Sequence, residues 1–291
     1  MSEEHSQAAK VIAFQGAPGA YSDMACRAVY PEMETLPCKT FTDAFAAVSE
    51  GRARLAMIPI ENSVAGRVAD IHQLLPESDL HIVAEHYQPV HHNLLACKGA
   101  EAGGLKVVRS HVHALSQCRN VIRRLGLNAV VHADTAGAAA EIARIGDPTI
   151  AAIASGLAAE IYGLDVIEAG IEDEAHNTTR FVVLAAERID SDPADGPVVT
   201  SFVFNVRNVP AALYKALGGF ATNGINMTKL ESYMVGGAFT ATQFFAEVEA
   251  HPSEQRLKLA LEELGFFTSK VHIMGVYPAH PFRAESAARS E

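Results

Sequence analysis

An α/β fold followed by a smaller module of βαββαβ order is predicted for this chain, and three observations predict it. From residue 11 to about 186, short apolar runs alternate with segments of helical periodicity, which is the sequence form of a βαβ layer fold. Residues 190–197 combine Asp, Ser, Pro and Gly without apolar periodicity and read as a linker. Beyond them the pattern is strand, helix, two strands, helix, strand, the ferredoxin-like order.

Taken in order, strands are expected at 11–14, 55–60, 81–84, 94–96, 106–109, 129–132, 149–153 and 181–186. Gly16 and Gly19 let the backbone turn tightly into a helix whose first amides, near Ser22, can face a carboxylate or can simply complete a strand-to-helix turn. After Ser110, the residues Leu115, Cys118, Ile122 and Leu125 fall at helical spacing, and Gly126 can end that helix. The next unit repeats the design, with Asp134 or Thr135 as cap and Gly146 at the end, and another copy runs from Ser155 to Gly163.

In the smaller module, residues 198–206 alternate as a strand, and Leu213, Leu217 and Phe220 mark one face of a helix over 210–223. Residues 226–235 and 239–250 resemble a hairpin joined through Gly236 and Gly237. Leu257, Ala260, Leu261 and Leu264 form a second helical stripe, and 271–276 is the closing strand. The expected division is a flexible start at 1–10, a first region at 11–189 in two lobes (about 11–88 with 170–189, and about 89–169), the linker at 190–197, the module at 198–278 and a tail at 279–291.

Bulk properties narrow the function. A chain of 291 residues with 49% hydrophobic content can bury two or three cores. Its formal charge of −11, with no Lys/Arg stripe, argues against nucleic acid and anionic membranes as partners. No apolar run approaches the roughly 20 residues of a membrane span, and the first ten residues do not read as a signal peptide, so a cytoplasmic location is expected. The four cysteines, at 26, 38, 97 and 118, form no C-x-x-C pair and read as free thiols.

Four polar clusters stand at strand-to-helix junctions or at strand ends, where open α/β sheets build ligand sites. They are Gly16-Ala17-Pro18-Gly19-Ala20-Tyr21-Ser22; Pro59-Ile60-Glu61-Asn62-Ser63; Ser110-His111 with Gln117; and His176-Asn177-Thr178-Thr179-Arg180-Phe181. Each has a plainer reading. Asn62 and Ser63 can cap a helix beginning near Gly66, and the Asn-Thr-Thr stretch can satisfy local backbone groups. Ser110 and Gln117 are seven residues apart, two turns along one face if both are helical. Nucleotide loops fail for want of G-x-G-x-x-G or a P-loop lysine, and no G-x-S-x-G elbow is present. His91-His92 and His111-x-His113 have no zinc-like spacing and read as surface histidines, so neither metal nor cofactor is expected.

Taken together and in this order, these clusters resemble the prephenate dehydratase family, over nearly the whole chain. The resemblance implies a catalytic region of two α/β lobes like a periplasmic binding protein, followed by a ferredoxin-like ACT regulatory domain. It implies that Thr179 is the catalytic hydroxyl, and that Asn62, Ser63, Ser110, Gln117, Arg180 and Phe181 form the substrate site. The implied reaction is decarboxylative dehydration of prephenate to phenylpyruvate in phenylalanine biosynthesis, by a monofunctional lyase without cofactors. Arogenate dehydratase is the close chemical alternative, and a non-catalytic amino-acid sensor is the alternative of another class. Phenylalanine is the implied effector, at Asn208, Ala211, Leu213, Asn226, Glu231 and Ser232, in a homodimer or homotetramer. The family's Glu-Ser-Arg-Pro stretch is Glu231-Ser232-Tyr233-Met234 here, so the sign and strength of that regulation stay open.

Overall fold

The structure, a computed structural model, describes residues 10–174, 176–207, 209–234 and 241–290. The expected flexible start falls outside the described residues except for Lys10, as do the expected turn glycines Gly236 and Gly237. Along the chain, β1 (Val11–Gln15) is followed by α1 (Tyr21–Val29), β2 (Glu34–Cys38), α2 (Phe41–Ser49), β3 (Leu55–Asn62), β4 (Gly66–Arg67), α3 (Ala69–Glu77) and β5 (His81–Pro89). Next come β6 (Asn93–Ala96), β7 (Val107–Ser110), α4 (Val112–Gln117), α5 (Arg119–Arg124), β8 (Asn128–Val131), α6 (Thr135–Ile145), β9 (Ile150–Ala154), α7 (Gly156–Tyr162), β10 (Asp165–Glu168) and β11 (Thr178–Ala185). The remainder is β12 (Val198–Val206), α8 (Ala212–Thr222), β13 (Met227–Met234), β14 (Ala241–Val248), α9 (Gln255–Phe267), β15 (Thr268–Pro278) and α10 (Phe282–Ser290).

Three sheets form among the described residues. The first has the order β2-β1-β3-β11-β5 with β4 on β3, the second β10-β6-β9-β7-β8, and the third β13-β14-β12-β15. β1 is parallel to both neighbours, and β7 is parallel to β8 and β9, while β6 runs antiparallel to β9 and β10. The α/β class expected from the sequence is therefore the observed one. The chain packs as two compact units, Met1–Val68 with His86–Phe181 and Ala69–Glu85 with Val182–Glu291.

In the first unit the capping chemistry read from sequence sets the helices. Asp134 Oδ1 accepts from Gly137 N at 2.6 Å, and Gly146 takes the left-handed conformation after α6. Ser155 Oγ accepts from Ala158 N at 3.0 Å and also donates to Gly19 O at 2.5 Å, which ties the turn after β1 to the start of α7. Tyr162 Oη donates to Pro18 O at 2.9 Å from the other end of that helix. Here glycine is required: Gly19 has φ +86°, and a Cβ on it would lie 2.8 Å from Ala158 Cα.

Three expectations need correction. The helix expected through Leu115 to Leu125 is two helices broken at Cys118 (φ −127°, ψ 32°), because Asp173 caps the second one, accepting from Arg119 N at 3.0 Å and Asn120 N at 3.1 Å. Asn62 and Ser63 do not stand directly at a helix start: Gly66 and Arg67 turn back as β4 onto Asn62 and Glu61, and the helix expected near Gly66 begins at Ala69. β2 was not expected, since ETLPC carries a proline and only Cys38 is buried, a composition that an edge strand tolerates.

The second unit carries the βαββαβ order expected for 198–278, with every pairing in its sheet antiparallel. Phe202 stacks on Phe220 at 5.7 Å and Phe204 on Phe244 at 5.3 Å, and Leu257, Ala260 and Leu264 of α9 close this core. β12 is buried at nearly every position rather than on one face. The expected tail at 279–291 instead contains α10, whose Arg283 meets Glu85 at 2.7 and 2.9 Å and Glu247 at 3.0 Å. Both carboxylates are buried, and Gly275 lies directly against the Ile82 carbonyl.

Replacing Gly19 by Ala tests the packing of the first turn. A left-handed alanine costs about 1–2 kcal/mol by itself, and the collision with Ala158 backbone adds to it. Gly99→Ala, at φ +79° with nothing near, carries only the first cost. Urea unfolding should show Gly19→Ala clearly the less stable of the two; equal midpoints would mean that α7 does not press on this turn.

Candidate active site

The site grows from the place where the end of β3 meets the start of β11. Asn62 leaves the sheet into the tight return to β4, and its Oδ1 accepts from Val64 N at 3.0 Å and Ala65 N at 2.8 Å. Two backbone amides thereby fix which way the carboxamide points. Its Nδ2 must face the opposite side, where it donates to Asn177 Oδ1 at 2.7 Å and Thr179 Oγ1 at 2.9 Å, with Thr178 O farther off at 3.3 Å. Ser63 closes the same corner: its Oγ donates to His176 O and accepts from Thr178 N, both at 2.9 Å, while its amide donates to Thr178 O. A threonine hydroxyl that accepts from an amide keeps its own hydrogen to donate elsewhere.

From Asn177 the chain of contacts crosses to residues around the second sheet. Asn177 Nδ2 donates to Gln117 Oε1 at 2.8 Å, and the same oxygen lies 2.9 Å from His92 Nε2. His92 Nδ1 is 2.8 Å from Tyr21 Oη, with the two rings edge to face at 5.6 Å. Burial holds the His92 imidazole below its usual pKa, against the hydrogen bond to Gln117 and the nearby Glu172. The Tyr21 phenol is raised well above its usual value, first by burial and then by Cys118 and Glu172. Glu172 anchors this end, accepting from His92 N at 2.9 Å and meeting His91 Nδ1 at 2.8 Å.

Of the residues singled out in the sequence, Asn62, Gln117 and Thr179 are brought into one network, with Ser63 holding the backbone beside them. The others are placed differently. Ser110 is fully buried and donates to Ile153 O at 2.6 Å, linking β7 to β9 rather than joining Gln117 on a helix face. Arg180 is buried, 2.9 Å from Glu61 Oε1 and 5.9 Å from the Tyr87 ring, so the carboxylate it meets belongs to this chain. Phe181 is in the core. In the turn before α1, Asp23 Oδ2 accepts from Gly19 N at 2.8 Å, so a carboxylate of the chain itself meets a backbone amide there.

Three members of the network were not expected as site residues: Tyr21, His92 and Asn177. His92 was read as a surface histidine and is instead only 3% exposed; its neighbour His91 has the exposed side chain. The available signal was the position of His92 directly before the wholly buried Asn93–Ala96 strand.

In the second unit, Asn208 lies outside the described residues. Ala211 caps α8 with φ +61°, Leu213 packs against the module's core, and Asn226 and Ser232 are exposed. Glu231 sits on β13 with Lys229 Nζ 3.8 Å away. Positive φ at Ala211 is unusual for a residue with a side chain.

What this arrangement offers is a neutral, rigidly oriented donor. The thiol next to the network, Cys118, is pushed far up by burial and then by Asp173 and Glu172, which leaves no thiolate nucleophile there.

Comparison with known proteins shows the family. The sequence profile described as prephenate dehydratase matches residues 12–189. A Komagataeibacter europaeus protein named bifunctional N-acyl-homoserine lactone acylase/prephenate dehydratase is 52% identical, over 94% of this chain and 98% of its own. Arabidopsis thaliana arogenate dehydratase/prephenate dehydratase 1 is 40% identical, over 92% of this chain and 71% of its own. The Arthrobacter aurescens prephenate dehydratase crystal structure, a complex with L-Phe, superposes with a TM-score of 0.85 at 26% identity, covering 96% of this chain and 97% of that one. The chain belongs to the prephenate dehydratase family, a family of lyases.

Proposed function

We propose that this chain converts prephenate to phenylpyruvate, with Thr179 as hydrogen-bond donor to the departing ring hydroxyl. The observation that carries the reading is the 2.9 Å contact in which Asn62 donates to Thr179 Oγ1 and so leaves the threonine's own hydrogen to be donated to a ligand. In the reaction the electron pair of the bond to the ring carboxylate moves into the ring as carbon dioxide leaves. The bond to the 4-hydroxyl breaks, and that oxygen leaves as water once it has taken a proton from solvent. Aromatisation supplies the driving force, so the protein's task is orientation plus stabilisation of developing hydroxide. A donor already oriented before the reaction suits that task.

Arogenate differs in carrying an amino-acid side chain where prephenate has a pyruvyl group, and the names of the plant relatives favour it as a second reading. The network around Thr179 serves the ring end of either molecule. Assaying the purified protein with both substrates separates the two; a kcat/KM higher for arogenate would replace prephenate with it.

The βαββαβ module reads as an ACT domain that binds phenylalanine, near Asn208, Ala211, Leu213, Asn226, Glu231 and Ser232, in a cytoplasmic homodimer or homotetramer. The L-Phe complex of the Arthrobacter relative supports the effector. Removing residues 198–291 is a poor test, because it takes Arg283 from Glu85 and Gly275 from Ile82.

Thr179→Ala should lower kcat by about 10²–10³ while leaving the unfolding temperature nearly unchanged, since one oriented donor is lost. Near-normal turnover in the folded variant would remove Thr179 from the mechanism. Glu231→Ala should weaken the response to phenylalanine severalfold with turnover in its absence unchanged, as measured by initial rates over a phenylalanine titration. An unaltered response would place the effector elsewhere.

A further inference from the structure

We infer that Tyr21 and His92 are positioning residues completing a hydrogen-bond chain of fixed polarity that converges on Gln117 Oε1, in which His92 donates from Nε2 to Gln117 and accepts at Nδ1 from Tyr21. The inference deepens the dehydratase reading, and rests on it only for the use made of the Thr179 hydrogen.

The direction follows from the fixed end. Val64 N and Ala65 N can only donate, so Asn62 Oδ1 must face them and Nδ2 must face Asn177. Asn177 therefore presents Oδ1 to Asn62 and Nδ2 to Gln117, and Gln117 presents Oε1 to both Asn177 and His92. An oxygen there requires a hydrogen on His92 Nε2, and the buried, neutral imidazole then has a bare Nδ1 facing the tyrosine. Amide orientation and tautomer are assigned together by this single run of contacts.

At the far end the opposite polarity is available. Tyr21 Oη also lies 2.8 Å from His91 O, and its one hydrogen serves only one of the two: given to His92 Nδ1 it is not given to that carbonyl, whereas with a hydrogen on His92 Nδ1 the tyrosine accepts there and donates to the carbonyl. The near end decides which state the chain occupies.

Asn62→Asp should therefore move the proton on His92 without touching it. A carboxylate still accepts from Val64 and Ala65 but has no hydrogen for Asn177, so Asn177 and then Gln117 turn over, and His92 must accept at Nε2. Asn177→Asp reaches the same end with Asn62 kept, and covers the case in which the first variant fails to fold.

The measurement is ¹⁵N NMR of histidine-labelled full-length protein at neutral pH, with His92→Gln assigning the resonance. The expected result is a neutral Nε2–H ring in the unaltered protein and an Nδ1–H ring in the two Asp variants. An Nδ1–H or doubly protonated ring in the unaltered protein, or no change of tautomer in whichever variants fold, overturns the inference. Kinetics give a second readout. His92→Gln, which keeps a donor at the Nε2 position, should retain kcat within a few fold. His92→Leu should lose about 10²-fold, the scale of a misplaced catalytic group, with KM little changed. Equal losses in both also overturn it. The NMR result needs no turnover, so it stands apart from whether prephenate or arogenate is consumed.

Discussion

The orientation of one carboxamide organises the site. Asn62 is held by two backbone amides that cannot turn, and its nitrogen serves both the next side chain in the network and the hydroxyl of Thr179. A neutral hydrogen bond contributes only about 0.5–1.5 kcal/mol net, whereas a buried group left unpaired costs about 1–3 kcal/mol. Turning Asn62 over would set its nitrogen against two N–H groups and its oxygen against Asn177 Oδ1, so several penalties would fall together. Such a network behaves as a unit, and its members are better described by the polarity they share than by individual strengths.

The scaffold supplies this corner from separate elements. β3 and β11 bring Asn62 beside Asn177 and Thr179, while Gln117 ends α4 and His92 immediately precedes β6. Ser155 and Tyr162 clamp the turn at 18–19, directly before the helix that carries Tyr21. A glycine at position 19 is thus part of how the tyrosine is placed, although it touches nothing in the network.

Much of this was legible in the sequence, and the illegible part has a common cause. Asp134, Gly146, Ser155 and Gly163 announced their helix ends because caps act over three or four residues. Thr179, Asn62 and Gln117 were legible through the order of polar clusters. Tyr21 stood in one of those clusters and His92 directly before a buried strand, but their pairing was not legible, since it spans 71 residues. The break at Cys118 depends on Asp173, 54 residues from the amide of Arg119. Arg180 and Ser110 looked like ligand groups by residue type, yet Glu61 and Ile153 engage them in the fold, and periodicity carries no information about such partners. The helix α10 was hidden for a similar reason, its Arg283 being held by carboxylates from β5 and β14.

The central claim is that Thr179 acts with its hydrogen aimed by Asn62, and a double-mutant cycle on kcat tests it most directly. Asn62→Ala and Thr179→Val are measured singly and together with the preferred substrate, each variant checked for an unaltered fold. The account predicts strong non-additivity: once Asn62 is gone, losing the Thr179 hydroxyl should cost little more, because a donor without its aim contributes little. Losses that simply multiply in the double variant would contradict the account, showing that Thr179 works independently of the amide beside it.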